Sequence, residues 1–229
     1  MERPTTHDEG FWASTGTGIA FVWRQPLLRT VALLVLALVG LWLPIEGVVL
    51  PVHFEALDQP ADLGLVLVAM SLGGIIGALG YGWIVERVGN RRLFLWSLLV
   101  ATVFVLLATP LPATGWQMLW GFFAGVAFGP FFPILNVAMQ TLTPSHLRGR
   151  VVGLLTAVQY AAGPLGFLLI GPLVDALGVR QAYLVLGLGM GALSLIAFLL
   201  PTLRGLDDLP RHVDDPLPLE ETQPPHPLT

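Results

Sequence analysis

The stretch LGLVLVAMSLGGIIGALGYGWIV, residues 63–85, carries no charged side chain and is followed at once by ERVGNRR, residues 86–92. As a helix rising about 1.5 Å per residue, such a run is long enough for a hydrocarbon core of about 30 Å. A membrane strand would be about half as long and would alternate in polarity; this run does neither. Backbone exposed to lipid must satisfy its own hydrogen bonds, so a helix is the reading.

Five further apolar runs lie outward of it, at residues 31–52, 93–111, 118–142, 151–176 and 182–200. Each is near the ~17–25 residues a spanning helix needs. Composition agrees: 55% of residues are hydrophobic and 11% charged, against about 25% charged in soluble domains. Mean hydropathy is +0.76. The expected fold is therefore an all-α membrane protein of six transmembrane helices, occupying residues 30–203.

Orientation follows from arginine, the only basic residue besides histidine, because basic loops are retained on the cytoplasmic side. Arg24 and Arg29 precede the first run, and Arg87, Arg91 and Arg92 lie between the second and third. Arg148 and Arg150 fall between the fourth and fifth, and Arg204 and Arg211 follow the sixth. The opposite loops hold His53, Glu55, Asp58 and Asp62, then an uncharged Pro-rich turn, then Asp175 and Arg180. Both termini are expected in the cytoplasm of a cell-membrane protein.

Outside the bundle, residues 1–29 read as a polar cytoplasmic segment, flexible through residue 16, leading into an interfacial helix over 18–29. Trp23 there suits the headgroup layer. A polar start with no basic region and apolar core behind it gives no expectation of a cleaved signal peptide. Residues 204–229, acidic and proline-rich, are expected to be a disordered cytoplasmic tail, since such composition buries too little apolar area to fold. Within the spans, Gly73, Gly77 and the Gly74–Ala78 pair are spaced for close helix contact, and Gly163, Gly166 and Gly171 lighten the fifth span. Pro44, Pro130, Pro133, Pro164 and Pro172 are expected to bend their helices or free carbonyls.

The most informative motif is Gly82-Trp-Ile-Val-Glu86-Arg87-Val-Gly89-Asn90-Arg91-Arg92. Gly82 allows close packing at a helix end, Gly89 allows a very short turn, and Glu86 sets a carboxylate beside three guanidiniums. Such a cluster can hold two bundles together on one side of a membrane and release them. The motif resembles the signature loop of the major facilitator superfamily, Gly-x-x-x-Asp-Arg-x-Gly-Arg-Arg/Lys, with Glu86 in place of Asp and Asn90 in place of a basic residue. The loop Pro144 to Val151, with Arg148 and Arg150, and the run Gly163 to Gly178 are similar to the second half of its drug-efflux branch. Trp23-Arg-Gln-Pro-Leu-Leu-Arg29 is similar to the entry of the seventh helix in macrolide-type members.

The resemblance implies the C-terminal six-helix half of a twelve-helix bundle, with transport of a small molecule by two halves rocking about a midplane site. Signatures of the first half have no counterpart in this chain. The expected partners are a small-molecule substrate, membrane lipid, and either a separate N-terminal half or a second copy; a truncated gene product and a non-transporting scaffold are the alternatives. Substrate, direction and coupling ion are not legible.

Polar residues inside the spans are scarce, and such residues mark candidate pathways. Glu46 stands about 25 Å along the helix from Arg29, in the outer part of the bilayer, as a proton carrier or counter-ion, or as a solvated edge carboxylate. Asn136 and Gln140 share a face of the fourth span, and Thr156, Gln159 and Tyr160 cluster in the fifth. These line a cavity or make interhelical hydrogen bonds. Phe122, Phe123, Phe128, Phe131 and Phe132 read as lipid-facing or packing residues, with a drug pocket as the alternative. No zinc motif or P-loop occurs, the histidines lack ligand spacing, and cysteine is absent. An enzyme, a cofactor, a metal site and nucleic-acid binding are accordingly not expected.

Overall fold

In the computed structural model, which describes residues 11–111 and 113–209, the six expected spans are helices long and apolar enough to cross a membrane. Helix α1 (Phe11–Arg24) comes first, and the chain breaks at Gln25 before α2 (Pro26–Pro44). A π-helical stretch (Ile45–Val49) and α3 (Leu50–Ala56) complete the first span. The second and third spans are α4 (Pro60–Val88) and α5 (Asn90–Ala108). The fourth is α6 (Thr114–Phe128) with α7 (Phe131–Leu142), and the fifth and sixth are α8 (Arg148–Leu177) and α9 (Val179–Leu199). A 3-10 helix (Pro201–Leu206) follows.

Two of the five prolines, Pro44 and Pro130, interrupt regular helix. Pro44 cannot donate to the carbonyl of Gly40, and the helix widens into the π-helical stretch directly after it. That bared region is where α8 comes closest: a β-carbon at Gly166 would collide with the Gly40 carbonyl and stand 2.6 Å from the Pro44 ring. Pro130 separates α6 from α7. Pro164 and Pro172 lie inside a continuous α8.

Helices α4 and α6 form the tightest pair. Gly73 and Gly77 of α4 face the carbonyls of Phe122 and Val126, while Gly125 of α6 faces that of Met70. The small-residue spacing in the second span thus marks a backbone-to-backbone contact, the form of packing available when lipid removes the hydrophobic drive. Of the fifth-span glycines, Gly163 and Gly166 meet α2, whereas a β-carbon at Gly171 would meet nothing within 4 Å.

The third and sixth spans are joined by a buried clasp. The hydroxyls of Thr102 and Ser194 lie 3.1 Å apart, and each also has a carbonyl of its own helix 2.8 Å away, Leu98 for Thr102 and Met190 for Ser194. With one proton each, one hydroxyl donates across to the other, which donates to its own helix. A double-mutant cycle with Thr102→Val and Ser194→Ala, read by unfolding in mixed micelles, should return a coupling of about 0.6 kcal/mol.

Two apolar clusters stack along the bundle. The one at the arginine-rich end contains Leu28, Val35, Phe94, Phe131 and Val151; the other contains Ile45, Phe54, Val66, Val105 and Ile170. The first also takes in Leu203, Leu206 and Leu209 from beyond the last span. Here the chain differs from its composition: an unstructured tail was expected from residue 204, yet the segment stays packed through Leu209. The leucines recur every third residue, the period at which a 3-10 helix stacks its side chains on one face. Thr202 adds a hydroxyl contact to Thr30 at 3.1 Å. Residues 210–229 lie outside the described residues, as do residues 1–10.

The N-terminal expectation also shifts. The helix begins at Phe11, within the segment expected to be flexible, and ends at Arg24; Pro26 to Arg29 already belong to α2. Proline favours the first turn of a helix and restricts the residue before it, so Gln25, at φ −93° and ψ 102°, is where the chain turns.

Candidate functional site

The motif at residues 82–92 is hardly a loop. Helix α4 runs to Val88, α5 starts at Asn90, and Gly89 alone makes the turn at φ 81° and ψ 158°. That region is open essentially to glycine. Gly178 makes the same turn between α8 and α9, at φ 83° and ψ 162°.

Because the motif is mostly helical, helix phase decides where its side chains go. Trp83 and Arg87 are four apart, hence stacked on one face. The Arg87 guanidinium lies 3.7 Å from the Trp83 ring centroid and Nη1 donates to the Trp83 carbonyl at 2.7 Å. Arg91, on the next helix, points elsewhere: its Nη1 is 3.7 Å from Asp207 Oδ2. The expected single cluster of guanidiniums is therefore divided, with Arg87 on α4's own tryptophan and Arg91 on the segment after the last span. Glu86 and Arg92 are exposed. Gly82 is exposed too, and a β-carbon there would meet nothing within 4 Å. Its expected close contact is not made among the described residues.

Asn90 is the residue that sequence reasoning undervalued. It is 1% exposed. Its Oδ1 accepts from the Tyr81 hydroxyl at 2.9 Å, and its Nδ2 donates to the Leu209 carbonyl at 3.4 Å. One amide thus pins α4, α5 and the segment after α9 together. The available signal was an uncharged amide in the midst of arginines.

At the other motif of the arginine-rich end, Arg148 opens α8 and its Nη2 donates to the Gln140 carbonyl at 3.2 Å. Arg150 is half-buried on the same turn.

Glu46 lies in the π-helical stretch, one turn beyond Trp42, whose indole N–H donates to the carboxylate. Trp42 stacks on Phe128 with centroids 5.4 Å apart and planes 3° from parallel. The column continues through Phe131, 4.9 Å from Phe128, to Phe94, 5.4 Å farther. Phe128 and Phe131 are thus core residues that carry Glu46's anchor across the α6–α7 break. Trp42 was not singled out from the sequence; its four-residue spacing from Glu46 was the available signal.

Phe132, Asn136 and Gln140 recur at four-residue spacing on α7, and all three are exposed. Thr156 and Tyr160 are exposed on α8, Tyr160 at 79%, with Gln159 half-buried between them. Asn136 and Gln140 share a face as expected, and it is a face turned out of this bundle, not a seam between its helices. At the opposite end of the bundle, Thr114 donates to Asp62 at 2.7 Å and Gln117 lies 3.2 Å from His53, tying α6 to α4 and α3.

A six-span bundle with a one-glycine corner flanked by Glu86, Arg87 and Arg91 defines a class. Residues 30–226 match the family model of the Major Facilitator Superfamily, and the chain belongs to that family. It is 41% identical over 199 residues to the multidrug efflux pump Tap of Mycolicibacterium fortuitum, over 87% of this chain and 49% of that protein. To the multidrug efflux pump Tap of Mycobacterium tuberculosis (strain ATCC 25618 / H37Rv) it is 39% identical over 217 residues, 93% of this chain and 51% of that protein. A more distant relative is the probable galactarate/D-glucarate transporter GudP of Escherichia coli, 27% identical over 139 residues, covering 58% of this chain and 31% of that one. The chain spans about half the length of the multidrug efflux relatives it matches.

Proposed function

We propose that this chain is the C-terminal six-helix half of a secondary transporter that exports amphipathic drugs, coupled to protons, with both termini in the cytoplasm. The observation that carries this reading is the identity, across nearly all of this chain, to half of proteins named multidrug efflux pumps. The chemistry of the surfaces supports it. The exposed face of α7 offers Phe132, Asn136 and Gln140, an aromatic with two neutral hydrogen-bonding amides, suited to an amphipathic guest. Glu46, held by Trp42, supplies a carboxylate within this half's first span, well before Glu55 at the span's end.

The partner of this bundle is a second six-helix half, from another chain or from further sequence, docking on the long edge helices α4 and α8. Glu86, Arg87, Arg91 and Arg92, with Arg148 and Arg150, act at the cytoplasmic edge of that junction as contacts made in one state and released in the other. Gly82 and Gly89 shape the corner that presents them.

Dye export from cells carrying the complete two-half system is the test. Glu86→Ala should lower export about tenfold if one charge-assisted contact, worth about 1.5–3 kcal/mol, is lost from one state. Unchanged export at equal expression removes Glu86 from the gate. Glu46→Gln should abolish the dependence of export on the proton gradient. Full proton-coupled export by that variant assigns coupling to another residue. A complete system that moves no dye or drug under any gradient leaves a non-transporting scaffold as the reading.

A further inference from the structure

At the arginine-rich end, α1 lies across α8 and the start of α2, and an open groove of about 260 Å³ is left between the three helices. Its walls are apolar: Ile19 and Trp23 from α1, Leu33 and Leu36 from α2, Leu154 and Val158 from α8. Trp23 is 54% exposed and Leu33 50%. Among the described residues, one charged residue lines it, Arg29, and no acidic side chain does. The Arg29 guanidinium sits 5.9 Å from the Trp23 ring centroid, at the mouth, and Arg24 is exposed on the last turn of α1.

Position along α2 orders these groups by depth. Arg29 lies on the first turn of the span, where headgroups are, and Leu36 lies about 10 Å deeper, among acyl chains. A cation at the headgroup level above an apolar trough has the complement of one molecule type, an anionic phospholipid with its phosphate outward and its chain inward. Basic pockets between transmembrane helices select anionic headgroups in this way, and tryptophan belongs at the same depth.

We propose that this groove is a binding site for one anionic phospholipid of the leaflet facing the arginine-rich end, its phosphate on Arg29 and an acyl chain along Leu33, Leu36 and Leu154. The bound lipid fills the gap beneath α1 and so holds that helix on the bundle. The site is independent of whether the chain transports.

Native mass spectrometry of the full chain, released from vesicles of equal phosphatidylglycerol and phosphatidylcholine, tests it. The protein should retain phosphatidylglycerol about fivefold over phosphatidylcholine, the worth of one arginine near an anionic surface. Arg29→Gln should bring the two to parity, and Leu154→Trp, which fills the trough, should release both. Arg180→Gln, at the opposite end of the bundle, should change nothing. Equal retention by the unaltered protein, a preference that survives Arg29→Gln, or an equal loss in Arg180→Gln overturns the proposal. So does the disappearance of bound lipid in the complete two-half system or in a dimer, which would give the groove to protein.

Discussion

A Gly125→Ala chain is expected to be destabilised by about 3 kcal/mol, the upper end of what overpacking costs, and to run as aggregate in size exclusion. The added β-carbon collides with the Met70 carbonyl and comes 2.9 Å from the Gly74 nitrogen. Both are backbone atoms, so no rotamer change makes room and α4 and α6 must move apart as rigid bodies. Their contact is the tightest in the bundle, and separating them also strips Gly73 and Gly77 from the carbonyls they meet. Gly74→Ala is the control on the partner helix, since its β-carbon would meet nothing within 4 Å. It should keep its stability or gain slightly, alanine being about 1 kcal/mol better than glycine in a helix interior. Equal loss in both variants would show that helix composition, not this contact, sets the result.

The second large effect is expected at Asn90. Asn90→Leu keeps the branching and the number of heavy atoms and removes every hydrogen bond of a side chain that is 1% exposed. The Tyr81 hydroxyl and the Leu209 carbonyl each lose a partner, at about 1–3 kcal/mol per buried group, so a total of about 3 kcal/mol is reasonable. The loss should be local as well as global, because Asn90 holds down the segment after α9. Limited proteolysis should therefore cut between residues 200 and 209 sooner in Asn90→Leu than in the unaltered protein. Arg91→Gln breaks only the exposed pair with Asp207, worth about 0–1 kcal/mol, and should leave that cleavage rate nearly unchanged. If Arg91→Gln frees the segment and Asn90→Leu does not, the ion pair is the fastening.

The spans were legible because lipid allows one backbone solution, and hydropathy reports it directly. Small-residue spacing in α4 was legible for the same reason, although only the structure names its partners on α6. What sequence could not give was direction. Gly82 has the residue type of a packing site, yet its helix phase turns it away from every described neighbour. Arg87 and Arg91 stand four residues apart on paper, but the positive φ at Gly89 puts them on helices running opposite ways, so they take different partners. Arg91's partner, Asp207, belongs to the far end of the chain, in a stretch whose acidic composition concealed three buried leucines. Glu46 was singled out by charge alone; its anchor on Trp42 becomes visible only once Pro44 and the widened turn after it fix the intervening geometry. Asn136 and Gln140 do share an exposed face of α7, as their four-residue spacing required, while the surface that would complete a cavity over them is not part of the described bundle.

The corner at Gly89 and the corner at Gly178 have the same backbone angles within a few degrees, yet the helices between them put the two on opposite sides of the bilayer. Each has an open glycine seven residues before it, Gly82 and Gly171, an acid three before, Glu86 and Asp175, and an arginine two after, Arg91 and Arg180. Three helices and their upside-down copy therefore share one chain, as nested inverted repeats do in this architecture. One backbone solution, a glycine at a positive φ closed to other residues, therefore serves both ends of the bundle.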